Sequence, residues 1–178
     1  MKIINILYCI FIIGCSYSVN NSHFILLGIS YGGDCNLNKM PTLVLDPDWD
    51  ESQVKKIRLG AKQWEEAVGV DLGILPISNV DCGSPIEDNW VPGCIVKVSN
   101  VGDFCTYDDK FNIDCVNVKT SGIVIGCEDE IIEQISAHEI GHWIGVHHIN
   151  NFNALMYKYA YQNKVTEIDI EEYEKKCL

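Results

Sequence analysis

The sequence predicts a mixed α and β domain behind an apolar leader, on three observations. Val54, Ile57, Ala61, Trp64 and Val68 recur at spacings of three and four, the period of one helix face. Residues 95–98 and 122–125 are short apolar runs of strand length, with glycine and other turn formers around them. Residues 130–141 and the few that follow are apolar on almost every side of a helical wheel, and such a helix is buried.

A chain of 178 residues suits one domain plus a leader. With 47% hydrophobic and 10% aromatic residues it can build a core, which excludes an intrinsically disordered chain. The formal net charge of −12 argues against nucleic acid and anionic membrane surfaces as partners. There is no internal repeat, low-complexity tract or long Gly/Ser/Pro linker.

Residues 1–18 read as a signal peptide. Lys2 is its basic start, and residues 3–14 are an apolar run too short for a typical membrane-spanning helix. Two exits compete. Ser16-Tyr17-Ser18 offers small residues where an ordinary signal peptidase reads, whereas Ile12-Ile13-Gly14-Cys15 resembles the bacterial lipobox. The second exit ends the leader at residue 14 and makes Cys15 a lipid anchor. No second long apolar run follows, so no transmembrane span is expected in the mature protein. The expected location is secreted or extracytoplasmic, with a cell-envelope lipoprotein as the product of the lipobox exit. Residues 19–40 are expected to be a tether or short pro-segment, and residues 41–178 the main folded domain.

Beyond the leader lie seven cysteines: Cys35, Cys82, Cys94, Cys105, Cys115, Cys127 and Cys177. That density in an exported chain suggests disulfides, and the odd number leaves one thiol over, capped, or paired outside this set. Their connectivity cannot be read from spacing. The absence of CxxC pairs argues against a cysteine zinc site.

In chain order, residues 23–30 (HFILLGIS) read as an early strand or part of a pro-segment, and Tyr31-Gly32-Gly33-Asp34-Cys35 as a turn. That turn faintly resembles the element by which astacin pro-segments block their zinc, a role Cys35 could take as a thiolate; the plainer reading is a structural cysteine. Residues 42–45 are a short strand closed by Asp46-Pro47-Asp48. The helix through Trp64 follows, capped by Asp50 or Ser52 and stopped by Gly69, with Trp64 as its large core anchor. Residues 71–77 are expected as a second strand, 78–93 as a long loop tied by Cys82, and 95–98 as a third strand with Val96 and Val98 on one face. Residues 99–120 carry Asp103, Asp108, Asp109 and Asp114. Oxygen-rich loops can bind calcium, but this spacing does not support a calcium site, and a solvated, disulfide-tied loop is expected. Residues 122–125 (GIVI) should be a buried strand next to the following helix, which opens with acidic residues near 130 and reaches 141 or beyond. Thr166 caps a last amphipathic helix through Ile168, Ile170 and Tyr173, whose end Cys177 can staple to the body.

The chemistry concentrates in residues 138–148, HEIGHWIGVHH. His138 and His142 are four apart, so on a helix they share a face and both imidazoles can reach one metal ion. Glu139 is rotated by about 100°, placed to hold a water at the metal and not to be an obvious ligand. Gly145 tolerates φ > 0 and can end the helix in a sharp turn. That turn returns His148 as the third ligand, a position its spacing favours over His147. Three nitrogen ligands with an open fourth position describe a catalytic zinc site. Five such fixed positions coincide by accident in roughly one chain in 10⁴ or 10⁵ of this size.

These residues resemble the metzincin zinc peptidases, most closely the matrixins. Beyond HEIGHWIGVHH, Ala154-Leu155-Met156-Tyr157 places Met156 eight residues after His148, as in the matrixin Met-turn. TEIDIEEYEK resembles the family's C-terminal helix, and the Trp64 helix its first helix. The likeness covers about residues 41–177 and is sharpest over 132–157. It implies an α+β, zincin-like fold: a twisted mixed sheet with a backing helix, an active-site helix, and a small C-terminal subdomain ending in a helix. It implies one catalytic Zn²⁺ on His138, His142 and His148, Glu139 as general base and acid, and Met156 beneath the metal. Departures are Ile149 where matrixins have Ser, and Lys158 where they have Pro in the specificity-pocket wall. Tyr159 lies three residues after Met156, one too many for an astacin-type zinc tyrosine. Only five histidines exist, and the fifth outside the motif region is His23, so the family's second, structural zinc is not expected.

The reading is an exported zinc endopeptidase that hydrolyses peptide bonds with a zinc-activated water, acting on a protein or peptide substrate. The alternative is a catalytically silent zinc-containing binding or inhibitory module.

Overall fold

The computed structural model of the chain describes residues 12–19, 23–31, 33–74, 81–83, 89–98, 105–107, 113–115, 122–127, 129–159 and 162–178. Its elements are β1 (Ile12–Val19), β2 (His23–Tyr31), β3 (Val44–Leu45), α1 (Glu51–Val68), β4 (Cys94–Lys97), β5 (Cys105–Tyr107), β6 (Ile113–Cys115), β7 (Gly122–Ile125), α2 (Ile132–Trp143) and α3 (Glu167–Cys177). One sheet has the order β1-β2-β7-β4-β3, and β5 and β6 form a separate pair. β3, β4 and β7 run parallel, while β2 is antiparallel to β7 and β1 antiparallel to β2. This is the expected α+β arrangement, with a mixed sheet and helices on it.

Local chemistry explains most of these elements. The Asp50 carboxylate caps α1 by accepting from Gln53 N at 2.9 Å, and the Gln53 side chain returns to Asp50 N at 3.3 Å. The two residues thus satisfy each other's orphan donors in a capping box. Gly69 ends the helix at φ 71°, a left-handed conformation natural to glycine. Of the predicted stripe, Ile57, Ala61 and Trp64 are buried, and Val54 and Val68 pack partly buried at the margin of the core. β7 is buried along its whole length because it lies inside the sheet with α2 packed on it.

Two features fix α1 against α2. Trp64 Nε1 donates to Ala137 O at 2.7 Å in the buried interface. At Gly60 a Cβ would come within 2.7 Å of Glu133 O and 2.8 Å of Ala137 N. The helices cross where there is no side chain to separate them, so the backing helix sits directly on the helix that carries the histidines.

Three expectations need correction. Residues 71–74 are not a strand: the Asp71 carboxylate accepts from Gly73 N at 3.0 Å and Gly73 takes φ 53°. A local side-chain turn has replaced the ladder there, although Leu72 still reaches the core; residues 75–77 lie outside the described residues. The strand expected at residues 42–45 shrinks to Val44–Leu45. The strand expected at 95–98 begins at Cys94, and Cys94, Ile95 and Val96 are all buried because β3 and β7 flank it. Asp103, Asp108 and Asp109 lie outside the described residues, and Asp114 is in β6.

The early strand is present as β2, and residues 12–18 of the expected leader, with Val19, pair with it as β1. Cys35 bridges to Cys177 and so staples the end of α3 as anticipated. Cys82 is bridged to Cys94. Cys35 is therefore a structural cysteine and not a thiolate aimed at the metal. Among the described residues, no helix is long and apolar enough to cross a membrane.

Candidate metal centre

A short 3-10 turn, Asp129–Ile131, leads into α2, and every residue from Ile135 to Val146 is buried. The helix stops as its sequence requires. Gly145 adopts φ 95°, its N–H bonds His142 O at 3.0 Å, and Val146 N bonds Gly141 O at 2.9 Å. That pair of bonds is the Schellman ending, and glycine supplies its left-handed residue. A Cβ on Gly145 would also meet Cys35 Sγ at 2.8 Å, so the turn is packed from outside. Asp34 N adds a bond to Trp143 O at 3.1 Å.

The turn brings the third histidine round. One ring nitrogen each from His138, His142 and His148 lies within 4.8 Å of the others, a cluster able to hold a metal ion. The Nε2 atoms of all three are buried and make no hydrogen bond, and so do both carboxylate oxygens of Glu139. His147 is exposed and stands outside the cluster.

The opposite ring nitrogens of His138 and His142 are engaged. His138 Nδ1–H donates to Leu155 O at 2.8 Å, and His142 Nδ1–H donates to Val146 O at 2.7 Å. A carbonyl only accepts, so each bond puts the proton on Nδ1 and the lone pair on Nε2. Burial lowers the His138 pKa to about 4 against the favourable Leu155 carbonyl, and lowers His148 to about 3, helped by the charges of His138 and Lys158. His142 is likewise held well below the ordinary imidazole value, by burial and then by its two partner histidines. Neutral, oriented and otherwise unpartnered imidazoles are what a zinc ion needs, so these residues fit the metal.

A pH dependence follows. In the folded protein protons compete for these nitrogens only as pH approaches about 4, far below the ordinary 6.5. The unfolded chain takes up those protons sooner, so the metal-free fold loses stability as pH falls from 6.5 towards 4. Zinc occupancy at fixed free zinc should hold to about pH 5 and collapse below it. Equilibrium dialysis across this range checks the sign, and half-release near 6.5 would contradict it.

Met156 is fully buried. A Cβ on Gly141 would collide with its thioether and come within 2.7 Å of the Trp64 ring, so the methionine packs against the helix turn beside His142. Ile149 N bonds Met156 O at 2.9 Å and closes the segment between them.

The sequence reading missed one organising residue, Asp169. It is fully buried and accepts from Leu155 N and Met156 N, each at 2.9 Å, from Thr166 N at 2.8 Å, and from Thr166 Oγ1 at 2.7 Å. The Thr166-x-x-Asp169 spacing signals a capping box, which is present. Nothing local signals that the same carboxylate holds the methionine turn.

Imidazoles four residues apart on a helix, a third delivered by a glycine turn, and a methionine turn packed alongside make a candidate metal centre of the metzincin kind. The family model for matrixins matches residues 46–176, and the chain belongs to the matrixin family. No curated protein matches it at a significant level.

Proposed function

We propose that the chain is an exported zinc endopeptidase in which His138, His142 and His148 hold one catalytic ion and Glu139 moves the proton. The supporting observation is the convergence of three buried, unpartnered Nε2 atoms beside an unpartnered carboxylate. Zinc, when bound, would supply Lewis acidity to a water and to the scissile carbonyl. Glu139 then takes a proton from the attacking water. It returns that proton to the leaving amine; in the metal-free fold burial raises its carboxyl well above the ordinary carboxylate value. The carbonyls of Leu155 and Val146 keep two imidazoles turned towards the ion, and Met156 gives an apolar floor.

The test is a peptide-library digest with and without chelator. Cleavage inside extended peptides, abolished by chelator and restored by zinc, is expected. Stoichiometric zinc without cleavage would favour the silent binding module instead, and turnover of small amides alone would mark a non-peptide hydrolase.

Export removes residues 1–18, or residues 1–14 with acylation of Cys15. Residues 19–40 remain as a tether or short pro-segment, fastened to the body by the Cys35–Cys177 bridge. β1 and β2 both pack on α2, so losing β1 bares part of that helix and leaves β2 as the sheet edge. Mass spectrometry of the mature N-terminus separates an acylated Cys15 from a start at Val19, and a retained Met1 would defeat both.

A further inference from the structure

We infer that Cys105 and Cys115 are joined by a third disulfide, which clips the long connection between β4 and β7. The two bridges Cys35–Cys177 and Cys82–Cys94 use four of the seven cysteines beyond the leader. β5 and β6 are antiparallel, with Cys105 and Cys115 as direct partners at the outer end of the ladder. Directly opposed residues in such a ladder have Cα atoms about 4.5–5.5 Å apart and share a face, and disulfides span Cα separations of about 4.4–6.8 Å. The spacing of directly paired residues therefore falls within the range a disulfide spans. A two-stranded pair is marginal by itself, and an end-to-end staple holds the register that so few ladder bonds leave weak.

The chemistry balances by exchange. The two thiols lose two protons and two electrons in forming the S–S bond, and a disulfide donor, such as a thiol–disulfide oxidoreductase, is reduced to its dithiol. The inference shares with the proposed export only the need for an oxidising compartment.

Trypsin cuts after Lys97, Lys110 and Lys119, so Cys105 and Cys115 fall on separate peptides. The exported full chain, alkylated without reduction and digested, should yield peptides 98–110 and 111–119 as one disulfide-linked species that reduction splits. In the Cys105→Ser variant the Cys115 peptide should instead appear alkylated. Alkylation of Cys105 and Cys115 in the wild-type chain while the other two bridges stay intact would overturn the inference, as would a bridge from either to Cys127. Alkylation of every cysteine would overturn the inference and the exported reading together.

Discussion

Replacing Glu139 with Gln should lower kcat/KM for peptide cleavage by about 10²–10⁴-fold, the usual contribution of a positioned general base, while one zinc per chain stays bound. Two structural facts separate these effects. The Glu139 side chain is not among the clustered ligand residues, and both its oxygens are buried without a hydrogen-bond partner. The amide keeps the shape and loses the ability to accept and return a proton. It also removes an acid whose pKa burial has raised. Keeping that acid protonated in the metal-free fold costs stability increasingly as pH rises above the ordinary carboxylate value. The metal-free variant should therefore be at least as stable as the parent at pH 7. Steady-state kinetics, zinc analysis and thermal melts read the three outcomes, and undiminished turnover would refute the proton-transfer role.

Replacing Asp169 with Ala should damage the fold and the metal site together. The substitution strands the N–H groups of Leu155 and Met156 in the core and opens the cap of α3. Orphaned buried donors cost about 1–3 kcal/mol each, so a total of roughly 3–5 kcal/mol is expected. For a domain of this size that lowers Tm by roughly 10 °C. The same change loosens the segment whose Leu155 carbonyl orients His138, and loss of such a partner typically weakens metal affinity about 10–100-fold. Asp169→Asn should fall between, since the amide retains one acceptor and faces the remaining N–H groups with a donor. Calorimetry with a competitive zinc titration measures both effects. A melt within about 2 °C of the parent with unaltered zinc affinity would show that the carboxylate is dispensable.

The candidate metal site was legible because its geometry is local. The interval between His138 and His142 is one helical turn, and Gly145 sits where a Schellman ending needs a left-handed residue. His148 follows from that turn without knowledge of any other element. The caps of α1 and α3 were legible for the same reason, since donor and acceptor lie within three residues of each other. Residues 71–74 depart from their apolar pattern because an Asp-x-Gly turn satisfies its own backbone there.

Sequence by itself determined the identity and spacing of the three imidazoles, the acid beside them and the helix that presents them, because helical period and turn chemistry act over a few residues. Only the tertiary structure decided what steadies that site. Asp169 reaches the methionine turn from α3, Trp64 bonds Ala137 across two helices, Cys35 finds Cys177, and β2 lies against β7. Each of these contacts joins residues far apart in the chain. No local periodicity encodes such a pairing, since it depends on which surfaces meet when the core closes.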